Sequence, residues 1–172
     1  GSDVLILPSK GFLYKYIVGY SLKTADYLTA DASFMEKPIR KFSKKELRIA
    51  NFGIDYEESE LPEKKNYIYS NRLHKPLYRI DKIIEGFADF YSNNPDWKLI
   101  IGANGIETEK LALLAEKLLP KVAYQFIGFV NKEENVKRYL EAKIWLSNPE
   151  SDGTAMSLLE AMSYGCIPIT NR

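Results

Sequence analysis

Asp152-Gly-Thr-Ala-Met-Ser-Leu-Leu-Glu160 runs directly into Ala161-Met-Ser-Tyr-Gly-Cys-Ile-Pro-Ile169. This is a polar loop, then an acid-bearing helix, then an apolar strand, and its reading decides how the rest of the chain is taken. Two carboxylates eight positions apart bracket a helix start. With the helix beginning near Thr154, a rise of about 1.5 Å per residue puts Glu160 roughly 10 Å from Asp152. Between them lie backbone N–H groups that have no helical acceptor and stand at the positive end of the helix dipole. That arrangement suits a pyrophosphate and leaves one acid for hydroxyls at each end of a ligand. A bland alternative stays open, since a helix with an Asx N-cap and a glycine C-cap at Gly165 can occur in any α/β protein.

Upstream, the chain reads as alternating strands and helices. After an acidic, proline-containing break at Glu57-Glu-Ser-Glu-Leu-Pro-Glu63, residues 66–70 form a short apolar-aromatic strand, and Ile80, Ile83, Ile84, Phe87 and Tyr91 recur at helical spacing. Residues 97–101 read as a strand ending in Gly102-Ala-Asn-Gly105, and Leu111, Leu114, Ala115 and Leu118 mark the next helix. A third strand covers 124–129. Asn131 and Glu134 then form a capping-box-like start for a helix that buries Val136, Tyr139 and Leu140. Residues 143–146 and 167–170 supply a fourth and a fifth strand. Such alternation predicts an α/β fold, a Rossmann-like parallel sheet with helices on both faces and right-handed crossovers. Ligands of these sheets bind beyond the carboxyl ends of the strands, where the loops carrying Arg72, Gly102, Gly128 and Asp152 fall.

The 152–168 stretch resembles the E-x7-E signature of the retaining glycosyltransferases of family four, whose usual form reads roughly E-G-F-G-L-x-x-x-E-A-M-A-x-G-x-P-V. Here Asp152 replaces the first Glu, one methylene shorter with its charge and acceptor capacity kept, and Thr154-Ala155 replace Phe-Gly. Ser70-Asn-Arg-Leu73 is similar to the family's G-R-L segment, and Asn51-Phe-Gly-Ile-Asp55 to the N-G-V-D at its domain junction.

The resemblance implies the two-domain GT-B architecture and a nucleotide diphosphate sugar as donor substrate. It assigns Arg72 to the donor phosphates, which a guanidinium can grip two oxygens at a time. The family's following Lys has no direct counterpart, because the loop His74-Lys-Pro-Leu-Tyr-Arg79 is one residue longer. Lys75 or Arg79 fills that place, and Arg79, next to the helix start, is preferred. Helix amides from Thr154 and Ala155, with Gly153 and Met156 beside them, would assist at the leaving diphosphate. Glu160 would bind the ribose hydroxyls and Asp152 would orient the transferred sugar, so both are the candidate catalytic acids. The loop at Gly128-Phe-Val130 would hold the base through backbone groups, which brings in Val130. Gly102 and Gly105 suggest a turn where backbone passes close to a ligand or takes positive φ.

Other chemistry finds little support. His74 reads as a solvated loop residue. Cys166 has no second cysteine to pair with and sits in an apolar run where a small buried hydrophobe is expected. No spacing matches a hard-cation loop, and the resemblance implies a reaction without a bound metal, so no metal and no cofactor are expected. The chain has 172 residues, 45% hydrophobic and 27% charged, with a formal net charge of +1, which gives no electrostatic argument for nucleic acid. The apolar segment at 12–20 contains Lys15 and falls short of the about 20 residues that span a bilayer. Twelve Tyr and eight Phe are numerous, and those near the N-terminus read as buried packing, with a membrane-skimming or acceptor surface as the other option.

Gly1-Ser2 looks like a tag scar. Residues 3–56 resemble the closing elements of an acceptor-side domain, 57–65 a linker, and 66–172 a donor-binding domain cut short at its C-terminus. The expected partners are the nucleotide sugar, a glycan or lipid-linked acceptor, and the missing remainder of the N-terminal domain. The expected setting is the cytoplasm or the inner face of the membrane, in polysaccharide, glycolipid or lipopolysaccharide synthesis. The segment alone should not transfer sugar. The rival readings are a non-catalytic nucleotide-binding or assembly module, a phosphorylase and a nucleotide-sugar epimerase.

Overall fold

The computed structural model describes residues 2–50, 53–54, 61–152 and 155–171. By internal packing the chain divides into two compact units, Gly1–Gly53 with Asp152–Met156, and Ile54–Ser151 with Ser157–Arg172. Of the stretches singled out above, Asn51, Phe52, Asp55, residues 57–60, Gly153 and Thr154 lie outside the described residues.

The first unit contains α1 (Ser2–Leu5), α2 (Phe12–Thr24), β1 (Leu28–Ala30), α3 (Glu36–Arg40) and β2 (Leu47–Ile49). The two short strands pair in parallel, Leu28 opposite Leu47. Its core of buried side chains is small: Val4, Leu28, Met35 and Ile39. The expected inward packing of the N-terminal aromatics fails along α2, where Phe12 is 86% exposed and Tyr16, Ile17 and Tyr20 are exposed too. Val18 is the buried residue of that helix among those described, and Leu22, half-buried, packs against the small core.

The second unit holds β3 (Lys65–Ser70), α4 (Ile80–Tyr91), β4 (Lys98–Gly102), α5 (Thr108–Leu118), β5 (Tyr124–Gly128), α6 (Lys132–Glu141), β6 (Ala142–Ser147), α7 (Met156–Ser163) and β7 (Ile167–Thr170). The strands form one sheet in the order β5-β4-β3-β6-β7, every neighbouring pair parallel. Side chains alternate across it with period two. Ile68, Leu99 and Ile101 join Ile80, Ile84, Phe87, Leu111 and Ala115 on the face covered by α4 and α5. Tyr69, Ile100 and Trp145 join Tyr139 and Ala161 on the face covered by α6 and α7. This is the doubly covered parallel sheet that the alternation of elements predicts.

Local signals set the helix ends. Asn131 Oδ1 accepts the amide of Glu134 at 2.9 Å, the cap that starts α6. At the other end of α7, Gly165 takes φ +74, with Gly165 N donating to Met162 O and Cys166 N to Ala161 O, which is a Schellman closure. A Cβ on Gly165 would also lie 2.6 Å from Leu61 Cδ1. Among the described residues no helix is long and apolar enough to cross a membrane.

Two loops at the carboxyl edge are locked together by His74, which is fully buried and not the solvated side chain expected. Its Nδ1 lies 2.8 Å from Thr108 Oγ1 and its Nε2 3.2 Å from Gly102 O, while its ring stands edge-on to Phe126. The backbone follows suit: Glu107 N donates to His74 O at 3.1 Å. The glycines at this turn therefore serve the protein's own packing. A Cβ on Gly105 would come within 2.5 Å of His74 O, and one on Gly102 within 3.0 Å of the Tyr69 hydroxyl.

Burial pushes the His74 pKa down, since the desolvated ring resists charging, although the Gly102 carbonyl opposes this. A lowered folded-state pKa means that the unfolded chain takes up the proton more readily. The resulting stability is complete above the unfolded value of about 6.5 and is lost as pH falls from there through the lowered folded value. His74 is the chain's single histidine. Urea unfolding at pH 7.5, 6.5 and 5.5 should therefore show a fall in stability that is reduced in His74→Gln; identical pH dependence in both proteins would refute the linkage.

Candidate functional site

The strand order reverses direction at β3, whose successor β4 lies on one side and whose other neighbour, β6, arrives only after α4, β4, α5, β5 and α6. At such a switch point the outgoing loops part and leave a crevice at the carboxyl edge. Arg72 lies two residues beyond the end of β3, and residues 148–151 follow β6. Glu150 N donates to Leu77 O at 2.8 Å, so the loop after β6 is tied to the loop after β3.

The Arg72 guanidinium is held on two sides. Its Cζ lies 4.4 Å from the centre of the Tyr78 ring, and its Nη1 donates to Ser157 Oγ at 2.9 Å. Stacking on an aromatic face and a directed hydrogen bond reduce the rotamer freedom that a loop arginine otherwise has. Ser157 belongs to the first turn of α7, and Glu160 stands three residues on. Residues three apart share a helix face, with an axial offset of about 4.5 Å. The same face of α7 thus presents the arginine contact first and the carboxylate one turn later.

Glu160 is half-buried, and its Oε2 receives the Tyr139 hydroxyl at 3.1 Å. Behind it lies a polar cluster of Asn71, Asn135, Tyr69 and the Trp145 indole N–H. Burial pushes the Tyr139 pKa far above its ordinary value, and the nearby Glu160 charge adds to this, so its hydroxyl stays protonated.

The remaining candidates are dispersed. Lys75 is exposed on the loop after β3. Arg79 sits at the entry to α4 with φ +49, a left-handed backbone that costs a non-glycine residue about 1 kcal/mol. Gly102 is buried against Tyr69, and its carbonyl faces His74. Val130 follows Gly128, whose φ is +68. Asp152 is exposed and, with Ala155 and Met156, groups with the first unit. The described part of α7 begins at Met156, while Thr154, the expected start, lies outside the described residues. Among the described residues no three His, Cys, Asp or Glu side chains gather as a metal site would need.

Sequence reasoning missed Ser157, Tyr78, Asn71 and Asn135 as parts of this arrangement, and it took Tyr139 for plain core. Two spacings carried the information: Ser157 three before Glu160, and Asn135 four before Tyr139.

Comparison with known proteins points the same way. The chain superposes on a solved complex of a variant of S. aureus TarM with fondaparinux, alpha-GlcNAc-glycerol and UDP, with a TM-score of 0.77 at 15% identity, covering 92% of this chain and 32% of that one. For WaaG, described as a glycosyltransferase involved in lipopolysaccharide biosynthesis, the TM-score is 0.75 at 18% identity, covering 95% and 52%. For Anabaena HepE in complex with UDP-glucose it is 0.78 at 13% identity, covering 97% and 51%. At these identities the likeness establishes the fold, that of the GT-B glycosyltransferases, and the chain spans from about a third to about half of the length of these proteins. No curated protein matches the chain in sequence. Residues 53–172, well over half of the chain, match the family described as glycosyl transferases group 1, and the protein belongs to that family.

Proposed function

We propose that this chain carries the donor-binding half of a retaining glycosyltransferase, which moves a sugar from a nucleoside diphosphate sugar to an acceptor hydroxyl. The observation that carries the reading is the α7 face. Arg72, oriented by Tyr78 and Ser157, stands one helical turn from Glu160 at the switch point of the sheet. A diphosphate beside Arg72 and a ribose beside Glu160 need that order and spacing. Arg72 and the first amides of α7 would then stabilise the charge that builds on the diphosphate as the bond between its oxygen and the sugar's anomeric carbon breaks.

Asp152 would face the transferred sugar, and Arg79 or Lys75 would add a second cation. Residues 3–56 would close an acceptor-side domain that receives a glycan or lipid-linked hydroxyl in the cytoplasm or at the inner face of the membrane. Because TarM and HepE were solved with UDP and UDP-glucose, UDP is the first nucleotide to try.

Arg72→Ala should weaken UDP binding by about 1.5 to 3 kcal/mol, roughly 10- to 150-fold, the range for hydrogen bonds to charged groups. Calorimetric titration of the 172-residue chain checks this, and unchanged affinity removes Arg72 from the site.

The two acids should separate by ligand. Asp152→Asn should leave UDP affinity intact and lower that for a UDP-sugar, whereas Glu160→Gln should weaken both by similar factors, since both carry the ribose. Asp152→Glu should be tolerated. Equal losses for both ligands in Asp152→Asn would contradict the assignment of Asp152 to the sugar.

A further inference from the structure

Five side chains behind Glu160 form a hydrogen-bond cascade whose direction can be followed donor by donor. The Trp145 indole can only donate, and its Nε1 lies 2.9 Å from Asn71 Oδ1, which fixes the orientation of that amide. Asn71 Nδ2 must then face the other way, and it donates to Tyr139 Oη at 2.8 Å and to Asn135 Oδ1 at 3.0 Å. Asn135 Oδ1 also receives the Tyr69 hydroxyl at 2.8 Å, so its own amide nitrogen turns to Tyr139 Oη at 3.2 Å. The Tyr139 oxygen thus accepts twice. Its single proton has one acceptor left, Glu160 Oε2 at 3.1 Å.

We propose that Tyr139 is a positioning residue for Glu160: the cascade from Trp145 through Asn71 and Asn135 commits the Tyr139 hydroxyl to Oε2, which fixes the carboxylate and leaves Oε1 to accept a ribose hydroxyl. The proposal rests on the reading of Glu160 as the ribose ligand. Rigid placement suits the task. A glutamate has three side-chain torsions to immobilise, and a carboxylate already oriented in the empty site spares that ordering cost on binding. The ring of Tyr139 is itself clamped, stacked on Tyr164 at 6.0 Å between centroids and edge-on to Tyr69 at 5.6 Å. Its backbone carbonyl receives Lys64 Nζ at 2.6 Å.

A cluster that only held α6 to the sheet would affect every ligand alike, whereas a positioning role is felt through the ribose hydroxyls. Titrating the chain and its Tyr139→Phe, Glu160→Gln and double variants with UDP and with 2′,3′-dideoxyuridine diphosphate separates the two. Tyr139→Phe should weaken UDP several-fold and change the dideoxy ligand by less than twofold, and it should add nothing in the Glu160→Gln background. Asn135→Ala, which removes one donor to the phenol, should act in the same direction more weakly, and it keeps the test in force where the Phe variant unfolds. Equal loss of both ligands in Tyr139→Phe, or a ribose-selective Glu160→Gln beside a silent Tyr139→Phe, overturns the positioning role alone. A Glu160→Gln that is silent or unselective, or failure of the unaltered chain to bind UDP, GDP or ADP, overturns the ribose reading and the proposal with it.

Discussion

Burying β3 on both faces is the constraint on which the rest of the second unit depends. Ile68 faces one layer of helices and Tyr69 the other, and both are buried. Polar side chains therefore enter this strand at its ends, Lys65 and Asn66 at the amino end and Ser70 at the carboxyl end. There Asn71 and Arg72 follow one another, in a place where an unmet hydrogen bond costs about 1 to 3 kcal/mol. Asn71 meets this demand by reaching α6 and β6 together, through Tyr139, Asn135 and Trp145. Arg72 meets it through the loop after β3 and α7, through Tyr78 and Ser157. The polar groups that complete the fold are therefore also the ones that the proposed function would turn to a ligand.

The two sides of the proposed site are accordingly built from different kinds of element. The α7 side is built on regular elements whose side chains are set by packing. The Lys75 and Arg79 side is a loop with a left-handed residue and a one-turn helix over residues 76–78. In a phosphate-binding site that division is workable. A diphosphate carries several acceptor oxygens and tolerates a cation placed anywhere around them, whereas a pair of ribose hydroxyls needs acceptors at defined positions.

Much of this was legible in the residues. The parallel sheet followed from alternating periodicities, and the ends of α6 and α7 from Asn131 and Gly165, since each depends on neighbours within a few positions. His74 was misread because burial is a tertiary matter. In sequence it lies among loop residues, and only the approach of the Gly102 to Thr108 turn encloses it. The α2 aromatics were misread in the opposite sense, because a hydrophobic residue is buried only where something large enough covers it. The Tyr139 cluster escaped notice because its members lie up to 91 positions apart, from Tyr69 to Glu160, and all but Glu160 carry uncharged side chains, so no charge pattern marks them.

The lone cysteine turns this architecture into something that can be timed. Cys166 sits directly after the closure of α7, buried, with its Sγ 3.1 Å from Tyr139 O and 3.3 Å from Ala142 O, and burial pushes its thiol pKa up. A thiol reagent reaches it only when the junction of α7 and β7 opens, so the labelling rate becomes an intrinsic clock for that local opening. A ligand seated on the Ser157 and Glu160 face of α7 would hold the junction shut and slow the clock, so the chain's own thiol, read with a labelling reagent, gauges occupancy without an engineered label.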